Sequence, residues 1–340
     1  MSATVVVGGQ FGDEGKGKII SYLALDSSVV ATVRGGVGPN AGHTVRHGKK
    51  TYRLRMLPSA VANPRVKLMI GPGVLVDPKV LISEMSRYHV SDRVVVDQHC
   101  AIIDPIHLQR DKKLKRRIGS TGTGTGPANA DRALRVVKLA KDVPALGPYI
   151  ADVSTEINEL LDEGKKILIE GTQGTFLSVY HGTYPYVTSK DVTASAICSD
   201  VGLGPLRVDQ VLLVLKAYVT RVGAGPLEGE LDENEIERRG WSEVGTVTGR
   251  PRRAAPMNLA MAKRAVILNS ASQIAITKLD VLFPELQGIR REQDLSKSAL
   301  RFIDEVERAV SVPVSIIGTG PGDLDVIDRR GVSSKRRTVR

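Results

Sequence analysis

The chain of 340 residues is 41% hydrophobic and 25% charged, an ordinary globular composition that is long enough for one large domain or two smaller ones. Its net charge of +11 indicates anionic partners, but an aromatic content of 4% argues against a base-stacking surface for single-stranded nucleic acid. Two cysteines in no metal or redox spacing, and no run of about 18 apolar residues, predict a cytoplasmic protein without a membrane segment.

The first predicted element is a buried strand, TVVV, followed by a glycine-rich loop and a helix from about Lys16. The stretch 8–18, GGQFGDEGKGK, nearly fits the phosphate-binding pattern G-x-x-x-x-G-K-[ST]. Gly17 stands where a metal-binding hydroxyl is expected, and the acidic pair Asp13 and Glu14 lies inside the loop. The helix start suits a phosphate. Asp13 suits either Mg²⁺ or a proton taken from a second substrate, whereas Glu14 is solvated or structural.

Apolar β-branched runs alternate with helical patterns along the rest of the chain. The runs are 29–33, 66–71, 93–97, 166–171, 210–218, 273–280 and 312–318, and the helical patterns are 78–88, 151–164, 258–270 and 296–310. This alternation predicts an α/β fold with a mostly parallel central sheet flanked by helices. We expect a P-loop-related architecture with loop or subdomain excursions, forming one domain over 1–322 before a basic tail, 323–340.

Two more glycine-rich loops carry chemistry. In RGGVGPNAGHT, His43 follows a turn whose backbone can meet a ligand, and as imidazolium it could stabilise a phosphoryl group in transfer. The segment 119–127, GSTGTGTGP, alternates glycine with hydroxyl residues, which suits a nest for phosphate but is also typical of a flexible linker.

Three further segments indicate recognition of purines and anions. EGTQGTF presents Gln173, whose amide suits a purine edge. GTVTGRPRR offers Arg250 and Arg252, whose forked guanidinium groups suit carboxylates and phosphates. TKLD ends a predicted strand, and its Asp280 can accept two hydrogen bonds from guanine, as in the Asn-Lys-x-Asp element of GTPases. Together with a phosphate loop, this element indicates GTP.

These motifs resemble those of adenylosuccinate synthetase, in the same order, from residue 4 to about 322. They are QFGDEGKGK, NAGHT, GSTGTGTGP, GTQGTF, HGTYPYVTS, TRVGAGP, TGRPRR, TKLD and GTGP. The chain is similar to the short, archaeal-like form, without most of a helical insertion after the third loop and a segment after TKLDVL. The resemblance implies a GTP-dependent ligase that joins IMP and L-aspartate with Mg²⁺. It gives adenylosuccinate, GDP and phosphate through 6-phosphoryl-IMP, a step of AMP biosynthesis and purine salvage.

The resemblance also implies residue roles. Asp13 removes the proton of the hypoxanthine ring nitrogen and His43 stabilises the transferring phosphoryl group, and Lys16 and Gln173 complete the catalytic set. The expected IMP contacts are Asp13, Glu14, Gly15, Lys16, Asn40, Ala41, Gly42, His43, Thr121, Arg135, Gln173, Thr188 and Arg250. Aspartate contacts are Thr246, Val247, Thr248, Gly249, Arg250, Pro251 and Arg252. GTP contacts are Gly12, Asp13, Glu14, Gly15, Lys16, Gly17, Lys18, Gly42, His43, Thr44, Arg252, Lys278, Leu279, Asp280, Gly318, Thr319 and Gly320. Metal contacts are Asp13 and Gly42.

The resemblance further implies a homodimer in which Arg135 reaches the neighbouring site. Four departures from the family pattern concern the site: Phe11 replaces a usual tryptophan, two extra residues lie within 35–40, Thr123 replaces a frequent arginine, and Gly318 replaces a common serine. None removes a proposed catalytic group.

Two other functions compete with the ligase. A regulatory GTPase would explain loop 8–18 and Asp280, but not an acid and a histidine beside a second phosphate-sized nest. A nucleic-acid-binding protein would use the basic run 110–117 and the tail 329–340. The scarcity of aromatic residues makes it the weaker alternative.

Overall fold

The computed structural model describes residues 2–245 and 249–330, without the side chains of 115–117. Its strands are β1 Ser2–Gly8, β2 Val29–Arg34, β3 His43–His47, β4 Lys50–Leu54, β5 Lys67–Ile70, β6 Leu75–Val76, β7 Val94–Asp97, β8 Ala101–Ile102, β9 Ile150–Ala151, β10 Lys166–Glu170, β11 Gln210–Lys216, β12 Tyr218–Val222, β13 Arg252–Pro256, β14 Gln273–Thr277, β15 Val314–Gly318 and β16 Val326–Asp328. Its helices are α1 Lys16–Leu23, α2 Pro78–Tyr88, α3 Pro105–Ile118, α4 Thr125–Ala133, α5 Val153–Asp162, α6 Ala194–Val201, α7 Glu233–Arg238, α8 Leu259–Asn269, α9 Leu279–Leu282 and α10 Lys297–Val310.

A ten-stranded sheet runs through the centre in the order β16-β15-β14-β11-β1-β10-β2-β5-β7-β9. All neighbouring strands are parallel except β15 and β16, which pair antiparallel. The predicted α/β fold with a mostly parallel sheet is therefore confirmed. Because parallel strands end at one edge, the loops after β1, β2, β10, β11 and β14 meet there.

Hydrophobic cores lie on both faces of the sheet, which is why its strands are uninterrupted apolar runs. In β1, Val5 and Val7 belong to the core that α5, α6, α8 and α10 cover. Val6 points to the other face and packs in the core formed with α1 and α2. A strand with apolar side chains on both faces is fixed rigidly, so the loop that follows it starts from a defined point.

The sequence did not predict helices α3, α4, α6 and α7 or the short strands β6, β8 and β9. Within the run 273–280, β14 ends at Thr277 and Asp280 lies in α9. The structure differs from the sequence-based elements at three further places. The run 210–218 divides at Ala217, because β11 belongs to the central sheet whereas β12 pairs with β13 in a separate ribbon. A hairpin of β3 and β4, which the sequence did not predict, follows the second glycine loop.

The third difference lies at the C-terminal side, where β16 falls within the predicted basic tail 323–340. The ordered chain therefore reaches at least Arg330, and 331–340 lie outside the described residues. Within the described part of the chain, no helix combines the length and apolar character needed to cross a membrane.

Candidate active site

Hydrogen bonds to Glu14, a residue of the loop itself, hold the loop between β1 and α1 in place. Glu14 is fully buried and accepts hydrogen bonds from the backbone N–H groups of Gln10 (3.0 Å) and Gly12 (2.9 Å), while Lys16 donates to it over 2.7 Å. Asp13 adopts a left-handed backbone conformation, φ 62°, that is uncommon for a residue with a side chain. Of the acidic pair, Glu14 is therefore structural, and Asp13 is left a quarter exposed.

The two lysines of this loop, Lys16 and Lys18, contact different parts of the chain. The Lys16 ammonium is buried against Glu14 and the backbone carbonyl of Gln173. The Lys18 ammonium instead donates to the carbonyls of Gly320 and Asp325, each at 2.7 Å. Burial lowers the pKa of Lys18 to about 8. Lys16 thus lies beside the predicted purine contact, and Lys18 lies beside the loop predicted to bind guanine.

His43 begins β3 and is packed against the first turn of α1. A Cβ at Gly17 would lie 3.0 Å from the His43 Cβ and 2.9 Å from the Ser59 Oγ. Only a glycine lets the histidine strand approach the helix this closely. The hydroxyl that a P-loop carries at this position is therefore sterically excluded by His43.

A buried ion cluster orients His43. Its Nδ1 hydrogen-bonds to the carboxylate of Glu170, and Arg34 Nη1 lies 3.3 Å from the same nitrogen. Glu170 also accepts from the backbone N–H and the hydroxyl of Ser59, each at 2.6 Å. Burial lowers the pKa of His43, and the Arg34 charge acts in the same direction. Although burial alone raises the pKa of Glu170, His43 and Arg34 bring it down to about 2. The ionised carboxylate therefore accepts Nδ1–H and leaves Nε2 for a ligand.

Asp13 meets the hairpin that was predicted to bind aspartate. Arg252 Nη2 lies 2.9 Å from Asp13 Oδ1, and its Nη1 pairs with Glu243. Arg250 Nη2 donates to the carbonyl of Gly119 over 3.2 Å, which joins the same hairpin to the third glycine loop. Gly249 and Pro251 flank these arginines and are exposed, whereas Thr246, Val247 and Thr248 lie outside the described residues.

The third glycine loop is ordered by a buried acid rather than being a linker. Asp111 accepts hydrogen bonds from Ser120 Oγ (2.6 Å) and from the backbone N–H of Gly124 (2.8 Å), where α4 begins. Within the loop the hydroxyls of Thr121 and Thr123 are 2.8 Å apart. A fixed loop at a helix start presents N–H and O–H donors suited to a phosphate.

Two other predicted IMP contacts form a pair. Asn40 Nδ2 donates to Thr188 Oγ1 over 3.3 Å, and Asn40 Oδ1 is buried without a hydrogen-bond partner among the described residues. Arg135 is different, because it lies exposed after α4 between Leu134 and Val136, whose side chains are 67% and 70% exposed.

The TKLD segment is hydrogen-bonded to the phosphate loop, since Thr277 Oγ1 donates to the carbonyl of Glu14 over 2.6 Å. Burial raises the pKa of Asp280, although Lys18 and Lys278 act against it. Its Oδ1 is buried and has no hydrogen-bond partner within residues 2–245 and 249–330. A buried acceptor without a donor is costly unless a ligand supplies one.

The remaining predicted contact residues lie on these same segments. Ala41, Gly42 and Thr44 adjoin His43, Leu279 adjoins Asp280, and Gly318, Thr319 and Gly320 end or follow β15 beside Lys18. The structure therefore brings the predicted residues together at the carboxyl edge of the sheet, apart from Arg135. Thr246, Val247 and Thr248 lie outside the described residues.

Sequence reasoning missed Glu170, Arg34, Glu243 and Lys216, which hold the site residues in place. Arg34, Glu170 and Lys216 share one signal, since each is a charged residue that ends an apolar strand and is almost completely buried. Charged side chains are almost never fully buried unless they are paired. Glu243 carries no comparable signal, because it lies in an irregular segment.

A glycine-rich loop of the P-loop type, a quarter-exposed carboxylate and a buried histidine at one edge of a parallel sheet are the arrangement of a nucleotide-dependent α/β enzyme. The family model for adenylosuccinate synthetase matches residues 5–144 and 136–287, and the chain belongs to this family. The adenylosuccinate synthetase of Methanococcus aeolicus is 50% identical over 97% of this chain and 100% of its own. That of Thermococcus onnurineus is 51% identical over 97% and 99%.

A solved structure gives the same result. The chain is similar to fully ligated adenylosuccinate synthetase from Plasmodium falciparum, with a TM-score of 0.89 and 27% identity over 97% of this chain and 100% of that chain. The resemblance proposed from the sequence motifs is thus confirmed.

Proposed function

We propose that the carboxyl edge of the sheet performs the reaction of the family with Asp13 as general base and His43 as the group that stabilises phosphoryl transfer. The enzyme joins IMP and L-aspartate at the expense of GTP, giving adenylosuccinate, GDP and phosphate. The observation that carries the assignment of roles is the position of Asp13, which shares a loop with the phosphate site and pairs with Arg252 of the predicted aspartate hairpin.

In the first step Asp13 takes the proton from the hypoxanthine ring nitrogen, and the exocyclic oxygen on the adjacent ring carbon attacks the γ-phosphorus of GTP. The bond from this phosphorus to the β,γ-bridging oxygen breaks, which gives GDP and 6-phosphoryl-IMP. Phosphoryl transfer depends mainly on positioning and charge stabilisation. Glu170 holds the His43 ring with Nε2 toward the ligand, and the negative phosphates favour the imidazolium form that burial alone disfavours.

In the second step the amine of L-aspartate attacks the purine carbon that carries the phosphorylated oxygen. The bond from this carbon to the oxygen breaks, and the amine proton leaves with the inorganic phosphate. Arg250 and Arg252 suit the two carboxylates of aspartate, because a guanidinium binds a carboxylate through two parallel hydrogen bonds. Lys16 and Gln173, which are held together through the Gln173 carbonyl, complete the site near the exocyclic purine oxygen.

Mg²⁺ fits the donors available, since it prefers hard oxygens and takes few protein ligands together with substrate phosphates. The carboxylate of Asp13 and the carbonyl of Gly42 would hold it. When bound, it neutralises charge on the β- and γ-phosphates. Among the described residues no group of three or more His, Cys, Asp or Glu could hold a metal ion.

We also propose a homodimer in which Arg135 reaches the partner's IMP. Its support is the exposed apolar pair Leu134 and Val136 on either side of an exposed arginine, since such side chains are typical of an interface. Sedimentation at assay concentrations tests this, and a catalytically active monomer would contradict it. A cytoplasmic location remains a prediction from the sequence.

The direct test measures GDP release with GTP and Mg²⁺, adding IMP and L-aspartate separately and together. We expect sustained release only with both substrates. Steady GDP release without IMP would favour a regulatory GTPase. Salt-sensitive RNA binding without ligation would favour the nucleic-acid alternative.

A further inference from the structure

Glu243 is the centre of a cluster of charges that the proposed mechanism does not use. Its side chain is 12% exposed. Oε2 accepts from Lys216 Nζ over 3.0 Å and from Arg252 Nη1, while Oε1 accepts from the Tyr218 hydroxyl. Lys278, the lysine of TKLD, lies 3.5 Å from Oε1. One carboxylate therefore contacts β11, β12, the predicted aspartate hairpin and the predicted guanine segment.

The contacts of Glu243 close a ring that returns to the phosphate loop. Arg252 connects it to Asp13 over 2.9 Å. On the other side, the backbone N–H and carbonyl of Lys216 pair with the side-chain amide of Gln10, at 3.0 and 3.1 Å. Gln10 and Asp13 belong to the same loop. Glu243 is thus linked to the loop of the general base by two routes, one through Arg252 and one through Lys216.

Backbone hydrogen bonds also connect Glu243 to the hairpin that contains Arg252. The N–H of Arg252 donates to the carbonyl of Glu243 over 2.9 Å, and the N–H of Gly245 donates to the carbonyl of Arg250 over 2.8 Å. Glu243 and Arg252 are therefore opposite residues at the base of this hairpin, joined through both backbone and side chains. The direction of the Arg252 guanidinium follows from where the Glu243 carboxylate is held.

The charge balance explains why a carboxylate is needed here. Burial alone would raise the pKa of Glu243, but Lys216, Lys278 and Arg252 lower it well below its usual range. Without the negative charge of Glu243, Lys278 would still interact with Asp280, whereas Lys216 and Arg252 would still interact with Asp13. Arg252 would lose the partner that opposes its attraction to Asp13. The guanidinium would then close onto the base instead of being shared between two carboxylates.

We propose that Glu243 is a positioning residue for L-aspartate, which holds Arg252 between the general base and the entering dicarboxylate. This inference rests on the proposed function. It predicts that loss of the Glu243 charge impairs the use of aspartate far more than the use of IMP.

The test is Glu243→Gln in the full chain, with KM determined for aspartate and for IMP at saturating concentrations of the other substrates. We expect KM for aspartate to rise at least about tenfold and KM for IMP to change less than about threefold. Glu243→Asp keeps the charge with a shorter side chain, so it should raise KM for aspartate by only a few fold.

The matched control is Glu230→Gln. Glu230 pairs with Arg253, the neighbour of Arg252, and among the described residues it pairs with none of the proposed site. This variant should leave both constants unchanged within about twofold.

Equal increases in both constants, or an unchanged KM for aspartate, would overturn the role of Glu243. If Glu243→Gln does not fold, the same comparison is made with Glu243→Asp. This variant must then raise KM for aspartate and leave KM for IMP unchanged. A wild-type chain that releases no GDP with IMP and aspartate would instead refute the proposed function, so the two failures are distinguishable.

Discussion

Replacing Gly17 by serine would restore the hydroxyl of an ordinary P-loop, and the structure predicts that this harms the protein. A Cβ at this position would lie 2.9 Å from Ser59 Oγ and 3.0 Å from the His43 Cβ, against ordinary contact distances of 3.4–4 Å. Ser59 is itself fixed by Glu170, which also binds His43. The histidine must therefore move away from the helix by roughly 0.4 Å or more.

The size of the effect follows from this displacement. Overpacking a well-packed site costs about 1–3 kcal/mol of unfolding free energy. A misplacement of about 1 Å can reduce catalysis by about 10²-fold. A shift of about half that size in His43 should therefore lower kcat by about tenfold, with little change in KM for aspartate.

Urea unfolding and steady-state GDP release measure the two effects of Gly17→Ser. Gly147→Ser is the control, because a Cβ at Gly147 meets nothing within 4 Å. We expect this control to stay within about 0.5 kcal/mol of the wild type. Wild-type stability and kcat in Gly17→Ser would refute the argument that His43 excludes the hydroxyl.

Two further predictions concern the nucleotide end of the site. The pKa of Lys18 is about 8 in the folded chain against an ordinary value of 10.5, so the unfolded chain binds more protons between these values. The Lys18 contribution to stability should therefore rise by about 3 kcal/mol from pH 8 to 10.5, and Lys18→Met should remove that slope in urea titrations. An equal slope in the variant would contradict this. Asp280→Asn should lower kcat/KM for GTP by at least about 10²-fold while the Kd for IMP stays constant, because the amide cannot accept both guanine hydrogen bonds. Unchanged use of GTP by this variant would show that Asp280 does not read guanine.

The sequence was most informative for the residues with proposed chemical roles that lie directly after a strand. The apolar runs predicted the parallel sheet, and the segments after them predicted the loops that meet at its edge. His43 and Asp13 could be selected because each lies in a glycine-rich loop that follows an apolar run. These inferences needed only local pattern and the rule that parallel strands end together.

Contacts between distant segments could not be predicted in this way. The carboxylate that orients His43 comes from Glu170, which is 127 positions away, and Glu243 is far in sequence from both Gln10 and Asp13. No local pattern specifies which charges pair across such separations. For Glu14 the sequence left a solvated and a structural role open, and the structure supports the structural one, because Glu14 accepts hydrogen bonds from the loop's own N–H groups.

The most direct test of the mechanism is the first half of the reaction in the absence of aspartate. With GTP labelled by ¹⁸O at the β,γ-bridge, reversible transfer to IMP scrambles the label into the β-phosphate. Asp13→Asn keeps the backbone conformation, since asparagine tolerates a positive φ. We predict IMP-dependent scrambling by the wild type and at least about 10³-fold less by Asp13→Asn. The Kd for GTP is measured without Mg²⁺, because Asp13 is also a proposed Mg²⁺ ligand, and it should stay within about threefold. Scrambling by Asp13→Asn at the wild-type rate would contradict the assignment of Asp13 as the base.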